Sequence, residues 1–215
     1  MATPSIPLDR DAALRRGRRL EYVTVAWNSL EALAALFAGI LAGSIALIGF
    51  GLDSVIETVS GAALLWRLHH SNDAAARRAR AEKLALRIVG VSFLMLSLYV
   101  LVDSAYTLVE RERPHSSFFG IAIAILSVIA MPLLARAKRK VAAAISSGAL
   151  HADSRQTDLC AYLSAILLLG LALNALFGFW WADPVAGLIM VPIIVREGVL
   201  ALRGHECGCH DGACQ

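Results

Sequence analysis

Six long apolar runs constrain the fold of this 215-residue chain more than any other feature. A helix that crosses a bilayer needs about 20 mostly apolar residues. The runs lie at 22–43, 44–68, 86–109, 118–135, 142–173 and 180–202. Charged residues make up 17% of the chain, against about 25% in a typical soluble domain. We therefore predict an all-α membrane protein with six transmembrane helices, and the composition excludes disordered, collagenous and disulfide-scaffold chains.

The positive charges predict how the helices cross the membrane. Nearly all of the 20 Lys and Arg residues precede helix one, follow helices two and four, or lie near the end of helix six. On the other side only Arg111 and Arg113 are basic, and they neighbour Glu110 and Glu112. Because cytosolic loops carry the excess of basic residues, both termini are expected in the cytosol, most simply beneath the cytoplasmic (inner) membrane. The net charge of +3 does not indicate nucleic-acid binding.

This pattern divides the chain into three predicted parts. Residues 1–20 form a cytosolic basic arm, 21–203 the six-helix transmembrane domain, and 204–215 a cytosolic tail rich in Cys and His. In a reducing compartment, clustered thiols and imidazoles favour metal binding over disulfides, although a flexible tail with no specific role is the alternative. The predicted tail ligands are His205, Cys207, Cys209, His210 and Cys214.

Carboxylates inside the apolar runs are the first functional signal. Each costs roughly 2.5–3.5 kcal/mol at mid-bilayer, so such groups usually face a cavity, a partner or an ion. Asp53 and Glu57 are four residues apart and share one face of helix two. The only base expected to oppose the membrane carboxylates is Arg155. We therefore predict that Asp53 and Glu57 are metal ligands; the alternative is one hydrogen-bonded carboxylate and one solvated carboxylate.

Helix five carries a polar stripe. At 100° per residue, its members fall within about 100° of arc; they are Asp153, Gln156, Thr157, Cys160 and Ser164. Asp153, Gln156 and Cys160 are predicted metal ligands, and Thr157 is assigned to the ion path. An intramembrane Cys can also be a small buried hydrophobe. Arg155 and Asp158 lie on the far face and are predicted to neutralise each other.

A weak repeat links helices two and five. Residues 44–47 and 147–150 match at three of four positions with an offset of 103, which aligns Asp53 with Gln156 and Glu57 with Cys160. Helix two then runs inward and helix five outward, so the two three-helix halves are inverted. Inverted halves with polar groups near the midplane are typical of transporters.

Helix one contributes a third polar pair. Asn28 and Glu31 lie one turn apart on one face, and Glu31 is near mid-depth. Glu31 could line the ion path, accept a proton or form a hydrogen bond with helix two. We predict a pathway or proton-coupling role for both residues rather than direct ligation.

These residues together resemble the cation diffusion facilitator (cation efflux) family of proton-coupled metal exporters. The run from Gly43 to Leu47 followed by Asp53 and Glu57 is similar to the G-S-x-A-L run and acidic pair of that family's second helix. Residues 149–153 are similar to its A-L-x-A-D in helix five, and Asp183-Pro184 to its D-P before helix six. The resemblance covers residues 20–203. It implies that Asp53, Glu57 and Asp153 bind metal and that the protein is a homodimer.

Two departures from the family pattern affect the expected chemistry. Family members commonly have His or Asp, and then Asp, where this chain has Gln156 and Cys160. A Cys160 thiolate would favour Zn²⁺ or Cd²⁺ over Mg²⁺ or Mn²⁺. The cytosolic metal-binding domain that most family members carry is not expected here. In this respect the chain resembles a short branch of the family, similar to the transmembrane-163-type zinc exporters.

We therefore predict a secondary transporter that exports divalent metal, Zn²⁺ first and Cd²⁺, Co²⁺ or Fe²⁺ next, in exchange for protons by alternating access. Its predicted partners are the bilayer, the metal ion, protons and a second copy of the chain, with no resident cofactor. Two alternatives remain: a membrane-anchored metal sensor that uses the tail, and an intramembrane enzyme with paired carboxylates. The enzyme would need a nucleophile–base pair, which the sequence does not offer.

Overall fold

The computed structural model describes residues 10–69, 75–111, 114–115, 117–145 and 148–203, and its regular structure is entirely helical. Six helices follow one another: α1 (Arg10–Ala42), α2 (Ile45–His69), α3 (Ala75–Glu110), α4 (Phe118–Ile145), α5 (Gly148–Phe177) and α6 (Ala182–Leu202). All six contain stretches long and apolar enough to cross a membrane. The prediction of a six-helix, multi-pass membrane protein is confirmed. The Cys/His tail lies outside the described residues.

Helices α2, α5 and α6 begin and end within six residues of the predicted positions, whereas α1 begins at Arg10 rather than at 22 and α3 at Ala75 rather than at 86. The tight α1–α2 hairpin forms as predicted, because Gly43 adopts φ of 64° and reverses the chain in two residues. Helix α4, however, continues to Ile145 rather than ending near Ala135. The basic residues expected in a loop therefore lie on a helix, and one of them, Lys138, has no exposed surface. Counting Lys138 among the solvent-exposed cytosolic charges was wrong.

The helices pack mainly as three pairs, α1 with α2, α4 with α5, and α3 with α6. The first two pairs occupy corresponding places in the two halves, as the inverted repeat predicts. In the third pair, the backbones touch: a Cβ on Gly90 would lie 2.8 Å from the carbonyl oxygen of Gly198. Helices α2 and α5 also contact each other, which brings the two polar stripes of the sequence together in the centre of the bundle.

Hydrogen bonds tie together the end of the bundle that carries the α1–α2, α3–α4 and α5–α6 connections, here called the loop end. Asp183 of α6 is buried; it accepts hydrogen bonds from the Ser44 hydroxyl and from the backbone N–H of Ile45. A carboxylate in this position satisfies free N–H groups at the start of α2. Asn174 of α5 donates to the Pro114 carbonyl at 3.0 Å. The other end, where α1 begins and α6 ends, is here called the terminal end.

Candidate metal-transport site

The acidic pair of α2 is buried inside the bundle. Asp53 and Glu57 are 6% and 2% exposed, one helical turn apart. No described residue donates a well-formed hydrogen bond to either carboxylate oxygen of Glu57, although the Thr157 hydroxyl and the Cys160 thiol lie beside it. A buried carboxylate without donors is costly unless a cation or a proton neutralises it. Within the described part of the chain, Glu57 is therefore a carboxylate whose charge would be stabilised by a nearby cation.

Residues of α1 and α5 surround this pair. The Cys160 thiol of α5 interacts with Asp53, Glu57 and Glu31, and its Sγ lies 3.9 Å from Glu31 Oε2. Glu31 also accepts a hydrogen bond of 2.8 Å from the Ser54 hydroxyl, which fastens α1 to α2. The acid–thiol cluster, defined as Glu31, Asp53, Glu57 and Cys160, thus brings carboxylate and thiol groups of three helices together.

Asp153 lies in a second polar cluster on the same stripe of α5. The ammonium of Lys138, from α4, forms an ion pair with Asp153, lies 3.3 Å from Glu21 Oε1, and donates to Thr157 Oγ1 at 3.3 Å. Lys138, Glu21 and Asp153 are here called the lysine cluster. The expectation that Arg155 alone opposes the membrane carboxylates was wrong, because the extended α4 carries Lys138 into the bundle. Asp153, a predicted ligand, already has a cation.

The predicted Arg155–Asp158 pair was also wrong. Asp158 instead forms an ion pair with Arg139 of α4, and both side chains are about one-third exposed. Arg155 is exposed and interacts with Glu197 of α6. The physical reason is again the length of α4, since its last three turns bring basic side chains alongside α5.

Gln156 lies at the edge of the acid–thiol cluster. Its Oε1 accepts a 3.2 Å hydrogen bond from Ser60, and its Nε2 has no acceptor among the described residues. Gln156 also lines a small pocket with Asp53 and Glu197, whose remaining walls are apolar side chains of α3, α5 and α6. The pocket places one predicted ligand, Asp53, next to a half-buried carboxylate of α6.

The other predicted path residues are buried. Asn28 has no exposed surface, and neither atom of its amide group has a hydrogen-bond partner among the described residues. Thr157 contacts Lys138 and lies beside Glu57, so it stands between the two clusters. Within the described residues, no three His, Cys, Asp or Glu side chains are arranged to hold a metal ion as they stand. The predicted tail ligands, His205, Cys207, Cys209, His210 and Cys214, are not among those residues.

Comparison with known proteins decides the family. The model of the cation efflux transmembrane domain matches residues 22–203. This chain belongs to the cation efflux family. Proteins of this family are transporters rather than enzymes.

A curated relative agrees with this assignment. The chain is 29% identical to Transmembrane protein 163 of Xenopus laevis over 184 residues. The match covers 85% of this cation efflux protein and 65% of the relative. The alignment therefore spans less than two-thirds of that relative's length.

Sequence reasoning missed three buried charged residues. Lys138 lies seven residues after Met131, three after Ala135 and four before Ala142, all buried, and this helical spacing indicates that it faces inward. Glu21 lies seven residues before Asn28 on the inward face of α1. Glu197, which is half-buried, lies inside the sixth apolar run and belongs with the membrane carboxylates. Helix periodicity could have found the first two.

Proposed function

We propose that this protein exports Zn²⁺ and chemically similar divalent ions in exchange for protons, with the acid–thiol cluster as the substrate site. Asp53, Glu57 and Cys160 supply two oxygen ligands and one sulfur ligand from facing helices. Four-coordinate Zn²⁺ accepts this combination of ligands. Gln156 lies beside Asp53 and offers an amide oxygen, while Asp153 would have to leave Lys138 to join the set.

One observation carries the proposal: Glu57 is buried and lacks hydrogen-bond donors while it lies beside a thiol and two further carboxylates. A purely structural carboxylate would be expected to accept hydrogen bonds, as Asp183 does from Ser44 and Ile45. A dehydrated dication would satisfy Glu57 and its neighbours together. Because no set of three ligands is in place, binding the ion requires these side chains to close around it.

Proton exchange follows from the ligand chemistry. Carboxylates and a thiol must lose their protons before they bind a metal, so protons and metal compete for the same atoms. In one conformation the site takes the ion from the cytosol; in the other, protons replace the ion and it leaves on the far side. Asn28 and Glu31 line the route on α1, where Glu31 can exchange a proton with Asp53, Glu57 or Cys160.

The sidedness and assembly are part of the same proposal. The excess of basic residues supports a cytosolic terminal end, and we propose the cytoplasmic membrane as the location. The thiol selects softer ions, Zn²⁺ and Cd²⁺, over Mg²⁺ and Mn²⁺. A homodimer is proposed from the family resemblance, and the Cys/His tail is proposed to capture metal near the cytosolic opening.

A transport assay tests the function. The purified protein is reconstituted into liposomes containing a zinc-sensitive dye, and a pH gradient is imposed across the membrane. We expect zinc uptake that rises when the lumen is made acidic and collapses with a protonophore. Replacing both Asp53 and Glu57 by Ala should abolish uptake, whereas Asp158→Ala, which removes a partly exposed carboxylate of α5, should retain it. Normal uptake by the double variant would refute the proposed site.

A further inference from the structure

The lysine cluster is the most unusual feature that the proposed transport cycle leaves unused. Lys138 is fully buried, and its ammonium contacts two carboxylates and one hydroxyl. Ordinary helix packing does not require such an arrangement, since apolar side chains of similar size often replace a buried ion pair with no loss of stability. Its position relative to the acid–thiol cluster indicates what the charge does.

Helix α5 connects the two clusters in consecutive turns. Asp153 and Thr157 contact Lys138, and Cys160 begins the acid–thiol cluster one turn later. Glu57 lies beside Thr157 and interacts electrostatically with Lys138. Nevertheless, Lys138 donates no hydrogen bond to Glu57, because both oxygens of Glu57 lack donors among the described residues. The ammonium is near enough for its charge to act on Glu57 but does not occupy the site.

We propose that Lys138 sets the affinity of the substrate site: its fixed positive charge repels the bound metal ion and keeps binding weak enough for release. Charges interact far more strongly in a dry protein interior than in water. Transport requires a site that binds an ion well enough to admit it and loosely enough to let it go. Three carboxylates and a thiol around one dication would hold it tightly, and a neighbouring ammonium offsets that attraction.

Glu21 has a defined part in this arrangement. Its Oε1 lies 3.3 Å from the Lys138 ammonium, and it belongs to α1, whereas Asp153 and Thr157 belong to α5. Its negative charge partly cancels the field of Lys138 without belonging to the acid–thiol cluster. The two residues therefore allow the field at the metal site to be changed in either direction by substitutions that leave every proposed ligand in place.

The inference rests on the proposed function and predicts an order of affinities. Zn²⁺ binding to the purified full chain is measured by calorimetry, and zinc uptake by liposomes gives KM and kcat. We expect Lys138→Met to lower Kd and KM about tenfold and to slow kcat, because the ion leaves more slowly. Glu21→Gln should raise Kd severalfold, and Lys138→Met combined with Glu21→Gln should return Kd toward the wild-type value.

Two controls separate this role from a structural one. Lys138→Arg keeps the charge and should behave like the wild type, and so should Arg139→Gln, which removes the neighbouring but partly exposed base of α4. If Lys138 has only a structural role, Lys138→Met should raise KM, and adding Glu21→Gln should not restore it. That result would overturn the proposal. If Lys138→Met fails to fold, an unchanged Kd in Glu21→Gln overturns the proposal.

The failure of the proposed function would look different. If the wild-type protein neither binds Zn²⁺ nor takes it up, the transport site itself is wrong and the role of Lys138 falls with it. If the wild type transports zinc but Lys138→Met, Glu21→Gln and their combination leave Kd and KM unchanged, only the role of Lys138 is wrong.

Discussion

The acid–thiol cluster and the lysine cluster bury similar carboxylates but neutralise them differently. In the lysine cluster, the protein supplies its own cation, and Asp153 and Glu21 form ion pairs with Lys138. In the acid–thiol cluster, Glu57 of α2 has no hydrogen-bond partner among the described residues, although it lies beside Thr157, which also contacts Lys138. A buried acid that the chain leaves without a partner is a better guide to an ion site than a buried acid as such.

Stability measurements should separate the two clusters most strongly. Lys138→Ala strands two buried carboxylates, so we expect it to reduce the free energy of unfolding by about 3–5 kcal/mol. Glu57→Gln removes a charge that, among the described residues, forms no ion pair and accepts no well-formed hydrogen bond, so it should change stability by less than about 1 kcal/mol. Thermal unfolding of both variants in one detergent makes the comparison. Equal losses would mean that Glu57 is as structurally bonded as Asp153, and the contrast between the clusters would fail.

The thiol should make the acid–thiol cluster selective. Cys160→Ser replaces a soft ligand by a hard one, so Cd²⁺ should bind about tenfold more weakly while Mn²⁺ binding changes little. Competition titrations with the two metals measure this difference. Ser164→Ala, one turn further along the same buried face, is the matched control. A parallel fall for both metals would show that Cys160 only fills space.

The smallest effect is expected at the pocket beside Asp53. Glu197→Gln removes a half-buried carboxylate that shares this pocket with Asp53 and Gln156. Because a negative charge near an opening concentrates cations, KM for zinc should rise about two- to threefold, and more so at low ionic strength. Glu110→Gln, on an exposed carboxylate at the loop end of α3, should leave KM unchanged. A salt-independent change would remove Glu197 from the path of the ion.

The six-helix architecture could be predicted from the sequence because membrane-spanning helices are recognised by their length and hydropathy. Asp53 and Glu57 were also readable, since a bilayer makes two carboxylates on one face conspicuous. Lys138 was not recognised, because basic residues after an apolar run are normally cytosolic and only the continuation of α4 carries this one inside. The pairing of Asp158 depends on the same helix extension. The wrong predictions for Lys138 and Asp158 therefore arose where helix α4 extends beyond its apolar run, and not in the sequence motifs.

The hydrogen bonds that Asp183 accepts from Ser44 and Ile45 also restrict how α2 can move relative to α6. They pin one end of α2 to α6, so any tilt of α2 relative to its neighbours pivots there. At 1.5 Å per residue, Asp53 lies about 12 Å from this pivot and Glu57 about 18 Å. A tilt of about 10° would then displace them by about 2 Å and 3 Å. Zinc–oxygen bonds are about 2 Å long. A tilt of α2 by this amount would therefore be enough to form or break the proposed bonds from Asp53 and Glu57 to zinc.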